Sequence, residues 1–196
     1  MEELFFRVMF SILWLVFFVS LTVLSHLAKR SARRQTTTRE GRLRVTALVL
    51  AAIYFGGALF YILLPGWIAF LSIPLPDWFR LIMLGVVVLG LSFVLCGYWV
   101  LGKNWAPSVS GVREDTVLVT AGLYSLVRHP IYLGIFISLS ALALMVANLL
   151  VLLPTIALLI VLYASIDEEE VILIDRFGDE YREYKKRTPR FIPRLG

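Results

Sequence analysis

The chain has 196 residues, of which 59% are hydrophobic and only 17% are charged. Soluble domains of this length are about 45–50% apolar and about 25% charged, so the composition excludes a free-standing soluble domain and indicates an integral membrane protein. A single cysteine, Cys96, excludes an internal disulfide framework. The net charge of +5 is therefore interpreted as cytosolic-side charge rather than as a surface for nucleic acid.

The first half of the chain contains three apolar segments long enough to cross a membrane. They cover residues 4–27, 45–64 and 78–102, and about 20 apolar residues suffice for a bilayer core of about 30 Å. The first segment is not typical of a cleaved signal peptide, because Glu2 and Glu3 give it an acidic start. Residues 65–77 contain three prolines and are predicted to form a short turn region with Trp67 at the membrane interface.

The second half contains a long stretch without charge, the 38 residues between Arg128 and Asp167. As one straight helix it would measure about 57 Å, nearly twice the hydrocarbon thickness. We therefore predict a tight hairpin of two helices, residues 130–147 and 149–167, with the polar Asn148 at its tip. The fold class predicted for the whole chain is an all-α membrane protein with five transmembrane helices. Residues 1–77 would form a two-helix N-terminal unit and residues 78–196 the core.

The orientation follows from the basic residues. Of 19 Lys and Arg residues, 17 lie in residues 29–44, 103–128 and 176–194. The positive-inside rule then predicts an outside N-terminus, a cytosolic C-terminus and a site on the cytosolic side. The basic loop 29–44 is explained either by attraction to lipid headgroups or by a specific anion site.

Two cytosolic segments flank the hairpin, and the first ends in Arg128-His129-Pro130. A proline suits the first turn of a helix and disfavours helical geometry in the residue before it. Arg128 and His129 are thus predicted at the start of the fourth span, where backbone N–H groups favour an anion. The alternative is that Arg128 contacts lipid phosphate while His129 caps the helix. Residues 116–120 are predicted to be an extended loop.

The second cytosolic segment begins with four consecutive acids, Asp167 to Glu170. Such a run is often only a solvated face, but the apolar residues 171–174 follow at once and predict that the helix continues with one face packed. Glu169, Leu173 and Phe177 share that face, where a carboxylate needs a polar partner. Gly178 is a plausible C-terminal glycine of this helix, and residues 179–187 are predicted to form a further short helix.

Two motifs carry a family resemblance. Gly-Leu-Tyr-x3-Arg-His-Pro-Ile-Tyr-x-Gly begins at Gly122, and Glu-Glu-x2-Leu-x3-Phe-Gly-x2-Tyr-x2-Tyr-x4-Pro begins at Glu169. Together they resemble the isoprenylcysteine carboxyl methyltransferase family, over residues 104–193. Membrane phospholipid and amine methyltransferases share much of the same C-terminal half.

The resemblance implies S-adenosylmethionine as cofactor, S-adenosylhomocysteine as product, and a pocket formed by the cytosolic segments and their short helices. The implied cofactor contacts are Thr116, Val117, Leu118, Val119, Tyr124, His129, Pro130, Ile131, Tyr132, Glu169 and Tyr181. No metal site is implied. Eukaryotic members carry an arginine linked to substrate where this chain has Ser165, so a lipophilic acceptor other than a prenylcysteine is open.

The catalytic candidates are Arg128, Glu169 and Glu170. The resemblance implies O-methylation of a carboxylate on a lipophilic acceptor. Such a carboxylate is already ionised at neutral pH and needs a cation such as Arg128 to orient it. A phospholipid or amine acceptor would instead need a base, for which Glu169 or Glu170 is the candidate. A nicotinamide-dependent sterol-type reductase and a non-enzymatic channel or scaffold are the competing classes. The expected partners are membrane lipids and an acceptor that enters from the bilayer.

Overall fold

A computed structural model describes residues 3–29, 38–102 and 117–193. Their regular structure is helical apart from one isolated β-bridge between Ser72 and Asn148. The helices are α1 (Glu3–Lys29), α2 (Thr38–Leu63), a 3-10 helix (Pro65–Leu71), α3 (Asp77–Leu101), α4 (Leu123–Leu126), α5 (Pro130–Val146), α6 (Leu149–Phe177) and α7 (Asp179–Arg187).

Four of the described helices are long and apolar enough to cross a membrane, namely α1, α2, α3 and α6. The multi-pass, all-helical class predicted from composition is thereby confirmed. The fifth apolar helix, α5, has 17 residues and measures about 25 Å, which is shorter than the hydrocarbon core. A fifth crossing stays a prediction.

The helices pair in a pattern that separates the two arms of the α5–α6 hairpin. Helix α5 packs mainly against α3, and α6 packs mainly against α2. Helix α3 approaches α5 closely at Gly90, where an added Cβ would lie 2.5 Å from Ser138 Oγ and 2.9 Å from the Gly134 carbonyl oxygen. This seam fixes the start of α5, and with it Arg128 and His129, relative to α3.

The hairpin tip lies at Asn148, as predicted. Ala147 adopts a left-handed conformation with φ of 51°, and Asn148 caps α6 by accepting a 3.0 Å hydrogen bond from Leu150 N. The Asn148 amide also donates to the Ile68 carbonyl of the 3-10 helix at 3.0 Å. The segment predicted as a turn region thus contains an ordered 3-10 helix that the asparagine holds against the tip.

A buried cluster ties four helices together at the same end of the bundle. Arg80 of α3 donates to both Glu3 carboxylate oxygens and, through Nε, to the Met145 carbonyl at 2.8 Å. Tyr61 at the end of α2 donates to Glu3 at 2.7 Å, and the Arg80 guanidinium lies over the Phe6 ring at 3.8 Å. The starts of α1 and α3 therefore meet the ends of α2 and α5.

Helix α6 continues without a break past the acids at its C-terminal end. Its 29 residues measure about 43 Å, so the last turns extend beyond a bilayer core. Gly178, with φ of 55°, ends the helix, because a residue in this conformation is most easily a glycine. Helix α7 follows at once, where the sequence predicts a short helix over residues 179–187.

Candidate functional site

A buried carboxylate, Glu170, organises the end of the bundle opposite the Arg80 cluster. It is 2% exposed. Its Oε1 accepts from Arg128 Nη2 at 2.7 Å and Arg128 Nε at 3.2 Å, and His129 Nε2 lies 3.2 Å away. Its Oε2 accepts from Lys185 Nζ at 2.6 Å and Arg190 Nη2 at 3.1 Å. Both oxygens are therefore fully engaged by cationic or imidazole donors.

The segment after α7 holds these donors in place. We name residues 188–193 the C-terminal strap. Arg128 N donates to the Pro189 carbonyl at 2.9 Å, and His129 N donates to the Arg190 carbonyl at 3.4 Å. Arg128 Nη1 donates to the carbonyls of Thr188 and Lys185. The start of α5, the end of α6 and the strap are thus joined by both backbone and side-chain bonds.

Beside this cluster, two buried oxygens have no hydrogen-bond partner among the described residues. They are Glu169 Oε2 and the Tyr181 hydroxyl. Burial raises the pKa of the Tyr181 phenol, and the nearby Glu170 and Glu169 charges raise it further. Burial likewise raises the pKa of Tyr124, with Glu169 as the next contributor. Buried polar atoms are normally paired, so this pair of oxygens points to a polar ligand.

The structure brings most of the predicted site residues to one place. Tyr124 joins through its carbonyl, which accepts from the Tyr184 hydroxyl at 2.6 Å. The Tyr184 ring contacts that of Tyr181 at 5.9 Å, and the Tyr132 ring lies 5.8 Å from His129. Pro130 begins α5 as predicted.

The remaining predicted contacts make no described bond to the Glu170 cluster or lie outside the described residues. Ile131 packs under Gly97 of α3. Leu118 and Val119 are half-buried in the extended segment before α4, and Val117 is 64% exposed. Thr116 lies outside the described residues, as do residues 30–37 of the basic loop 29–44.

Three details differ from the sequence reasoning. The acid that finds partners is Glu170, whereas Glu169 keeps an unpaired oxygen. His129 occupies the N-cap position of α5 but makes no side-chain cap hydrogen bond. Its ring faces Glu170 instead. Lys185 and Arg190 were not predicted, because the sequence assigned them only to cytosolic charge.

The charges limit what each residue can do. The guanidinium of Arg128, which is 9% exposed, already donates hydrogen bonds to Glu170. Its remaining N–H groups donate to carbonyls of α7 and the strap. The Lys185 side chain is 43% exposed, so its ammonium faces both Glu170 and the outside of the cluster. Ser165, in the position of the family's arginine, donates to its own helix at Val161.

Known proteins share sequence and fold with this chain. A model of the isoprenylcysteine carboxyl methyltransferase family matches residues 82–175. The protein-S-isoprenylcysteine O-methyltransferase of Xenopus laevis is 36% identical over 118 residues, which cover 59% of this chain and 41% of that protein. Methanethiol S-methyltransferase 1 of Bradyrhizobium diazoefficiens is 42% identical over 110 residues, covering 55% of this chain and 38% of that protein.

The solved structure of the eukaryotic intramembrane Ras methyltransferase, isoprenylcysteine carboxyl methyltransferase, has a TM-score of 0.55 and 25% sequence identity. The likeness covers 82% of this chain and 55% of that one. The fold is therefore that of the intramembrane methyltransferases, in a multi-pass membrane protein. Over residues 82–175, the chain matches the isoprenylcysteine carboxyl methyltransferase family. It spans about two fifths of the length of the two curated relatives.

Proposed function

We propose that this protein is an S-adenosylmethionine-dependent methyltransferase that methylates an anionic group on a lipophilic acceptor at the membrane boundary. The observation that carries the proposal is a pair of buried oxygens, Glu169 Oε2 and the Tyr181 hydroxyl, that have no hydrogen-bond partner in the part of the chain that the structure describes. They lie beside a cation-rich cluster on helices that extend from the bilayer. A site of this kind suits a charged cofactor on one side and an acceptor from the membrane on the other.

The donor set fits the cofactor that the family resemblance implies. S-adenosylmethionine, when bound, supplies a methyl group on a sulfonium. Glu169 offers a carboxylate oxygen to its positive groups or hydroxyls, and Tyr181 offers a phenol that burial keeps protonated. The wider proposed contact set keeps the residues named from the sequence, namely Thr116, Val117, Leu118, Val119, Tyr124, His129, Pro130, Ile131, Tyr132, Glu169 and Tyr181.

The hydrogen bonds of Glu170 favour an anionic acceptor over an acceptor that needs a general base. A general base needs a free lone pair to receive a proton, and both oxygens of Glu170 are taken by Arg128, His129, Lys185 and Arg190. A carboxylate acceptor needs no base, because its pKa near 4 leaves it ionised at neutral pH. It needs a cation to orient it, and the half-exposed Lys185 is the accessible one.

Arg128 stays a candidate for holding the acceptor, as its sequence context predicts, but this would require it to release Glu170. In the observed arrangement Arg128 donates hydrogen bonds to Glu170, and Glu170 in turn holds Lys185 and His129. Arg128 therefore positions these two side chains indirectly. We therefore propose Arg128 and Glu170 as positioning residues and Glu169 as the residue that touches the cofactor.

A thiolate is the second candidate acceptor. The 42% identity to a methanethiol S-methyltransferase favours it, and a cationic surrounding lowers the pKa of a thiol and so raises its reactive fraction. Amine methylation remains possible only with Glu169 as base. A nicotinamide-dependent reduction would require a different cofactor in the same place.

The proposed topology has five crossings, an outside N-terminus and a cytosolic site. Support comes from the contacts of α5, which runs antiparallel to α3 from Ile131 beside Gly97 to Met145 beside Arg80. Helix α5 thus extends from the site to the opposite end of the bundle, although it is short.

Cofactor binding to the purified protein in detergent tests the proposal. Isothermal titration should show saturable binding of S-adenosylmethionine, and Glu169→Gln should weaken it about tenfold to a hundredfold, the value of a charge-assisted hydrogen bond. Glu183→Gln, on the exposed face of α7, is the matched control and should bind like the wild type. Binding of a nicotinamide cofactor without any of S-adenosylmethionine would contradict the proposal.

A further inference from the structure

The C-terminal strap inserts an aromatic ring between the two arms of the hairpin. The Phe191 ring lies 5.3 Å from that of Phe136 on α5 and 6.2 Å from that of Tyr163 on α6, measured between centroids. The next strap residue, Ile192, is 81% exposed and points away. Phe191 is therefore the strap residue that bridges the arms.

Helix α5 packs mainly on α3 and α6 mainly on α2, and the Phe191 ring contacts a ring on each arm. From Phe136 the aromatic side chains continue along α5 to Tyr132, at 6.3 Å, and on to His129, at 5.8 Å. At the other side of Phe191, Tyr163 is 48% exposed on a helix that crosses the bilayer. A row of half-buried rings thus connects the membrane-facing side of α6 with the site.

The position of Phe191 is coupled to the cluster by the residue before it. Arg190 Nη2 donates to Glu170 at 3.1 Å and to Asp167 at 2.8 Å, and the Arg190 carbonyl accepts from His129 N. The Arg190 guanidinium also lies 5.5 Å from the Tyr163 ring centroid. These bonds hold the strap backbone still, so Phe191 can leave the gap only by rotating its side chain.

We propose that Phe191 selects the methyl acceptor by the size of its apolar group. The ring fills the path between α5 and α6, along which an apolar chain reaches His129 from the bilayer, and a chain of isoprenoid length must displace it. A small acceptor fits without moving the ring. The inference rests on the proposed function for the identity of the acceptor, but its test is a binding measurement that needs no methyl transfer.

The experiment compares two probes that differ only in their apolar chain, N-acetyl-S-dimethylallylcysteine and N-acetyl-S-farnesylcysteine. Their dissociation constants are measured with the full chain in detergent micelles. Phe191→Ala should raise the preference for the farnesyl over the dimethylallyl probe about tenfold, because no half-buried ring has to be displaced. Phe191→Trp should lower this preference, and Ile192→Ala should leave it within about twofold of the wild type.

A preference that Phe191→Ala leaves unchanged or lowers would overturn the inference, because the ring would then not obstruct the chain. If Phe191→Ala does not fold, an unchanged or raised preference in Phe191→Trp overturns it equally well. Cofactor binding and methyl transfer are measured on the same preparations. Their absence in the wild type contradicts the proposed function, whereas the ratio of probe affinities judges Phe191 alone.

Discussion

Glu169 and Glu170 are neighbours in the chain with opposite surroundings. Successive residues of a helix point about 100° apart, so Glu170 turns toward the cations just before α5, in α7 and in the strap. Glu169 lies near Tyr124 and Tyr181 instead. Removing the partners of a buried charge is costly, which explains why Glu170 has several. Glu169 Oε2 is buried without a hydrogen-bond partner among the described residues. A bound ligand that donates a hydrogen bond to this oxygen would explain its burial.

Helix α7 carries two tyrosines, Tyr181 and Tyr184, whose hydroxyl groups have different surroundings. The loss of a hydroxyl through a Tyr→Phe substitution can therefore be compared at the two positions. Tyr184→Phe removes the hydrogen bond to the Tyr124 carbonyl and should cost about 1–3 kcal/mol of stability. Tyr181→Phe removes a hydroxyl without a partner in the described residues, so we expect unchanged stability but weaker cofactor binding.

Thermal unfolding and calorimetry of the two variants in the same detergent check this prediction. A Tyr181→Phe protein that is destabilised as much as Tyr184→Phe, with normal cofactor affinity, would show that the Tyr181 hydroxyl is structural.

The sequence predicts the residues on α5 and α6 better than those that complete the cluster. Pro130 and Gly178 mark helix ends through their backbone preferences, which are local properties. Lys185 and Arg190 reach Glu170 because α7 turns back, and Glu170 lies 15 and 20 residues earlier in the chain. No local pattern encodes such a distance, and choosing between Glu169 and Glu170 requires knowing the rotation of α6.

At the scale of the helices, the α3–α5 seam determines where the site lies. Gly90→Ala should destabilise the protein by about 1–3 kcal/mol, because the new methyl group would meet Ser138 Oγ at 2.5 Å and Ser138 N at 2.8 Å. Gly85→Ala in the same helix is the control, since a Cβ there meets nothing within 4 Å. Its stability should be equal to or slightly above that of the wild type.

Unfolding midpoints in detergent test the seam, and cofactor affinity of the folded variants reports whether the start of α5 has moved. Equal midpoints for Gly90→Ala and Gly85→Ala would contradict the close packing.

The sequence pattern of the α5–α6 hairpin predicts its two helices and its tip but not the helices on which they pack. The charge-free stretch and Asn148 indicate two arms and a tip, and the structure confirms both. The sequence does not indicate that the arms pack on different helices, because residues 130–166 are apolar on all sides and carry no marked face. The contact of Phe191 with both arms therefore appears only in the structure.

At the scale of the whole molecule, the Arg80 cluster and the Glu170 cluster occupy opposite ends of the bundle. Labelling of single cysteines, introduced as Glu40→Cys, Lys186→Cys and Trp67→Cys in a Cys96→Ser background, tests the topology. A membrane-impermeant reagent applied to sealed vesicles should modify positions 40 and 186 from one side and position 67 from the other. Positions 40 and 186 on opposite sides would contradict five crossings.

The central claim is that the site transfers a methyl group to an anion. The measurement that tests it most directly is the transfer of label from methyl-labelled S-adenosylmethionine by the reconstituted protein. A prenylcysteine, an alkanethiol and a lipid amine are offered separately. We expect a base-labile methyl ester on the carboxylate, or a methyl thioether on the thiol. Label found only on the amine would contradict it.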